Sequence, residues 1–111
     1  MPKHTTRLIT EEAAKNLPGL GGSGPDRDPM LWGKIHYAGL GWTWWVSEYD
    51  PHLGIAYGLL DAYECDWGAF RLDDLESAKG KDGSRAERDD SFKPLRFSKL
   101  LEELRAKGKR I

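Results

Sequence analysis

The sequence predicts an α+β fold: a single domain built on a four-stranded antiparallel meander sheet, with one N-terminal helix and two C-terminal helices. Three observations lead there. Between Trp42 and Leu72, three aromatic-rich runs are separated by short turn signals, the usual way of joining successive antiparallel strands. Helix-periodic segments with cap signals flank this region on both sides. The chain has 111 residues, 39% apolar and 32% charged, which supports one packed core without disulfide staples.

The first helix is expected after Leu8-Ile9, with Thr10 as N-cap, because its hydroxyl can accept from an unpaired first-turn amide. Glu11 and Glu12 then sit at the positive end of the helix dipole, and Pro18 stops the helix. Residues 19–29 are rich in glycine and proline and form a loop. Gly19, Gly21 and Gly24 match the G-x-G-x-x-G spacing, but a helix precedes them and Pro25 and Pro29 follow. A dinucleotide-binding turn requires a strand before and a helix after, so that reading fails. Four strands are expected next, over residues 30–38, 42–50, 55–64 and 67–72. Alternation along the second puts Trp44 and Trp45 on opposite faces, with Trp42, Val46, Glu48 and Asp50 beside Trp44. Thr43, Ser47 and Tyr49 go with Trp45. Helices are expected over one face of the sheet. Asp73 and Glu76 have capping-box spacing for the second helix. Residues 79–91 read as an exposed charged loop. Ser98 is the expected N-cap of the last helix, with Leu100, Leu101 and Leu104 as its apolar stripe and Gly108 at its end. Residues 106–111 form a short basic tail.

Charge is distributed unevenly. No lysine or arginine occurs between Lys34 and Arg71, whereas Glu48, Asp50, Asp61, Glu64 and Asp66 all fall there. The sheet region is therefore acidic and the C-terminal part mildly basic. Phosphate backbones are bound by Lys and Arg, which argues against a nucleic-acid site on the sheet. Binding of DNA by the basic tail is the weaker alternative. No apolar run approaches the roughly 20 residues of a membrane span. The single cysteine, Cys65, excludes an internal disulfide, and a cytoplasmic location is expected.

Several constellations bear on chemistry. Glu48, Asp50, Asp61 and Glu87 could converge as a carboxylate set, because Mg²⁺ or Mn²⁺ takes several oxygen ligands and can activate water for hydrolysis. The competing expectation is structural: Glu48, Asp61, Arg88 and Asp89 form a charge cluster that fastens the late loop to the sheet. His4, His36 and His52 have no ligand spacing, so no metal is assigned. Cys65 reads as a small semi-buried side chain. Most of the five tryptophans belong in the core. Trp32 and Trp45 are the candidates for exposure, and Trp32, Trp44, Trp45 and Tyr49 form the candidate binding surface, since exposed aromatics anchor partners.

Five pieces in order then carry a resemblance. They are Leu8-Ile9-Thr10 ahead of a helix, the run from Trp42 to Asp50, Gly58-Leu59-Leu60-Asp61, the run from Gly68 to Glu76, and the run from Glu87 to Phe92. Over nearly its whole length the chain resembles the bacterial family known as domain of unknown function 2958. The resemblance implies a small accessory protein of a plasmid or other mobile genetic element and supplies no catalytic mechanism. The resulting expectation is a non-enzymatic protein-interaction module without cofactor. Its partner would be a protein, a basic nucleic-acid-binding one being the best fit to an acidic aromatic surface, and interference with host defence is one form of that role. The alternative is a metal-dependent hydrolase using the carboxylate set.

Overall fold

Trp42–Asp50 forms the central strand of the protein, with the boundaries that its aromatic run and flanking turns predict. The computed structural model describes residues 8–22, 28–80 and 83–108. Its elements are helix α1 (Glu11–Asn16), strands β1 (Met30–Leu31), β2 (Gly33–Tyr37), β3 (Trp42–Asp50), β4 (Ile55–Asp61) and β5 (Cys65–Arg71), helix α2 (Leu72–Ser77), strands β6 (Ala86–Arg88) and β7 (Leu95–Arg96), and helix α3 (Phe97–Ala106). The class is α+β, as expected. The main sheet has five antiparallel strands in the order β5-β4-β3-β2-β6, not four, and β1 pairs with β7 as a separate two-stranded ribbon.

The extra strand lies inside the segment read as a charged loop. Ala86 is fully buried against the sheet while Glu87 points outward. Three residues with two charges give no visible alternation, yet a short charged strand is a common way to end a sheet without inviting aggregation. The expected first strand divides at Trp32, whose amide donates to Val46 O at 2.8 Å. Before that point the chain leaves the main sheet to pair with Leu95–Arg96.

Helices cover both faces, not one. On one side, Leu8, Ile9 and Leu17 around α1, with Leu72 and Leu75 of α2, pack on Ile35, Trp44, Val46 and Ala56. On the other, Leu100 and Leu104 of α3 pack with Leu31 on Trp45 and Leu59. Burying each of these leucines contributes about 1.5–3 kcal/mol, enough to hold a ten-residue helix that would be unstable alone. Trp44 and Trp45 thus face opposite ways, as alternation predicts.

Alternation then breaks. A bulge between Val46 and Glu48 puts Glu48 opposite Tyr57 and Tyr49 opposite Ala56. Tyr49 therefore joins Trp44 and Val46, and the expected sharing of one face by Trp44, Glu48 and Asp50 is corrected. Ser47 is the additional residue, and its hydroxyl donates to Tyr57 O at 3.1 Å. Opposite the bulge stands Gly58, where a Cβ would come within 1.8 Å of Trp45 O. Only glycine permits that approach.

The helix ends are partly as expected. Thr10 accepts from Ala13 N at 3.0 Å, and Gly108 takes a left-handed φ of 85° beyond α3. The α2 N-cap is Arg71, without a side-chain bond, so Asp73 lies inside the helix instead of capping it. Ser98 is likewise inside α3. Its amide and hydroxyl donate to the Asp28 carboxylate at 2.6 and 2.9 Å, so the cap comes from a residue 70 positions earlier.

Candidate interaction surface

The register disperses the proposed carboxylate set. Asp61 pairs with Thr43 at one end of β3, and Asp50 pairs with Ile55 at the other. Six residues of strand separate the two pairs, about 20 Å at ~3.3 Å per residue. Glu87 lies on β6, opposite His36 and three strands from Asp61. Glu48 is buried, and its carboxylate accepts from Gly21 N at 2.6 Å. That bond ties the Gly/Pro loop to the sheet, and Tyr49 N donating to Pro18 O at 2.9 Å reinforces it. Among the described residues no group of three or more His, Cys, Asp or Glu side chains is placed to hold a metal ion.

The expected charge cluster is also divided. Arg88 pairs with Asp90 and Lys34 with Asp89, the latter at 3.7 Å. Bonds from the hydroxyl and amide of Ser91, with Lys34 nearby, hold the Asp89 carboxyl below its ordinary value. Glu48 and Asp61 stand on other strands. Lys34 fastens the late segment to β2, its carbonyl also accepting from Asp89 N at 2.9 Å.

Of the four aromatic candidates, Trp44, Trp45 and Tyr49 are buried in the single chain, each about 5% exposed or less. The expectation that Trp45 is exposed is corrected: α3 covers it, and Lys34 Nζ lies 5.9 Å from its ring centroid. Burial, with help from Glu76, Asp50 and Asp73, raises the Tyr49 phenol above its ordinary value. Trp32 is half-buried and lines a groove of about 290 Å³ between α1 and residues 88–94, with Leu8, Ile9, Lys34, Arg88 and Phe92.

The aromatic side chain most open to solvent is one that alternation did not single out. Tyr63, in the β4–β5 turn, is 94% exposed. Its ring meets Trp42 edge-on at 5.9 Å and 78°; Trp42 meets Trp44 at 6.1 Å and 63°; Trp44 meets Phe70 at 6.2 Å. Four rings thus run from the core to the surface. Reading β4 as continuing to Glu64 hid Tyr63, because the strand ends at Asp61 and Ala62 N turns back to Glu64 O at 3.1 Å. Leu40, 54% exposed, sits in the β2–β3 turn at the same end of the sheet. Glu64 and Asp66 are exposed beside the ring and Asp61 is half-exposed. The nearest departure from this acidity in the chain is Arg71 at the far end of β5.

The fold and this surface define a small α+β protein with a buttressed aromatic tip among carboxylates. The chain belongs to the family described as "Protein of unknown function (DUF2958)", whose model matches residues 2–110. No curated protein and no solved structure matches it. Among the described residues no helix is long and apolar enough to cross a membrane.

Proposed function

We propose that this chain is a non-enzymatic protein-interaction module, an accessory of a mobile genetic element, that engages a basic protein partner at the acidic aromatic end of its sheet. The observation that carries this reading is Tyr63: 94% exposed, yet supported edge-on by Trp42. A free tyrosine in solvent gains nothing for the fold. One that is already propped loses little freedom on binding, which is the property of residues that dominate interface energetics. Glu64 and Asp66 beside it favour a cationic partner and speed its approach. A nucleic-acid-binding protein presents such a surface, and occupying it would block that protein's own phosphate contacts.

The test compares the immobilised protein with its Tyr63→Ala variant, using lysate of a bacterium that carries the parent element. A protein retained by the wild type should be lost from the variant, with affinity reduced by about 2 kcal/mol, or roughly thirtyfold. Thermal stability should stay within about 0.5 kcal/mol, because the ring is exposed. Equal retention by both forms, or no specific retention by the wild type, overturns the reading.

A further inference from the structure

We infer that the open edge of the sheet, β5, takes up an extended segment of the partner as a sixth strand, and that this segment alternates apolar residues with lysine or arginine. The inference deepens the reading above and rests on it for the partner's charge.

Three observations converge on this edge. First, β5 is seven residues long and ends the sheet order, with no strand on its outer side among the described residues. Leu72 N donates to Gly54 O at 2.9 Å, on the β4 side. In an antiparallel strand the N–H and C=O of a residue point the same way, and the direction alternates along the chain. The backbone groups of Gly68 and Phe70 therefore face β4, and those of Trp67, Ala69 and Arg71 face outward. The Trp67 amide confirms the phase: it donates to the Asp66 carboxylate at 2.8 Å. Ala69 and Arg71 carry the outward row onward.

Second, a groove of about 420 Å³ runs beside this edge, between β5 and α2, lined by Trp44, Phe70 and Leu75 with Asp74 at its rim. Within the strand, Gly68 leaves a gap between Asp66 and Phe70, and a Cβ built there would meet nothing within 4 Å. Every second side chain of an added strand points toward this face, so an apolar one has the gap and groove to occupy.

Third, residues 61–76 carry six carboxylates and one arginine. Asp66, Asp73 and Asp74 are exposed along the edge and its helix. A second copy of the chain would bring the same negative charge to the same edge, whereas a basic strand neutralises it. A lysine near Asp66 would also draw the carboxylate off the Trp67 amide and release that donor for pairing. Asp66 thus blocks the edge until a cation arrives, a charged version of the usual protection of sheet edges.

The test uses the full chain and a capped Lys-Val-Lys-Val-Lys-Val-Lys peptide, read by amide hydrogen exchange. At about 1 mM peptide, the Ala69 and Arg71 amides should exchange at least roughly tenfold more slowly. The equivalent Glu-Val peptide should give no such protection, nor should a version with proline at alternate positions. Ala69→Pro removes an outward donor and should abolish the protection at Arg71, while the Gly68 and Phe70 amides stay protected and show the sheet intact. If that variant fails to fold, the paired charge reversal Asp66→Lys with Asp74→Lys serves instead and should also abolish protection. Unchanged exchange at Ala69 and Arg71 with the basic peptide overturns the inference. So does peptide-independent, concentration-dependent protection of the same amides, which assigns the edge to self-association. Loss of partner capture in Tyr63→Ala without edge protection leaves the interaction reading standing and removes only the strand addition.

Discussion

Tyr49 shows how one residue's surroundings become a measurable pH dependence. Its phenol is buried between the sheet and the first helix layer, and burial together with three nearby carboxylates raises it above the ordinary 10.0. The neutral form is the one that fits. The stability this contributes is complete below the unfolded value and is lost as pH rises through the raised folded value. Melting temperature should therefore fall more steeply above pH 10 in the wild type than in Tyr49→Phe, as followed by circular dichroism. Parallel curves would show that the phenol is solvated. At this scale the sequence was only partly legible. That Trp44 and Trp45 face opposite ways followed from alternation alone. That Tyr49 joins Trp44 did not, because no local signal marks Ser47 as supernumerary.

At the scale of elements, the pairing of β3 with β4 depends on Gly58. The Trp45 carbonyl occupies the place where any side chain would begin. Gly58→Ala forces the two central strands apart and should cost about 3 kcal/mol or more, measured by urea denaturation. Gly68→Ala, in open space on the outer strand, serves as the control and should cost less than about 1 kcal/mol. A similar loss in both would mean that generic strand propensity, not the close approach, sets the effect. Elements whose signals are local were legible: β3 from its aromatic run between two turns, α1 from Thr10 and Pro18, the end of α3 from Gly108. Those fixed by distant partners were not. The start of α3 is satisfied by Asp28, which the Ser98 amide holds below its ordinary carboxyl value. Nothing around Ser98 in the sequence announces that carboxylate. The strand β6 likewise exists because β2 offers it an edge, and its own three residues carry no pattern.

At the scale of the molecule the sheet separates two apolar layers that, among the described residues, share no buried side chain. Ile35 belongs to one and Leu104 to the other. Ile35→Val should cost about 1 kcal/mol and Leu104→Ala about 2–4 kcal/mol. Their effects should add within about 0.5 kcal/mol in the double variant, as for distant sites without common partners. A larger coupling, measured by a double-mutant cycle, would mean that the layers communicate through the strands. The acidic bias of the sheet region could be read from the sequence. Its placement could not: Asp61, Glu64 and Asp66 are neighbours of Tyr63 in the chain, but that this run is a turn at the end of β4 leading into an edge strand is set by where β4 stops and by the strand order.

The surplus serine of the central strand carries a consequence for how the chain tolerates change in length. Because position 47 has no counterpart on β4, excising that codon would leave every later side chain of the strand looking the way it already looks. Dropping Thr43 instead would turn the strand's neighbouring residues over, sending an indole toward the wrong layer. The two shortenings are equal in size, yet only the first leaves the inside and outside of the protein as they are.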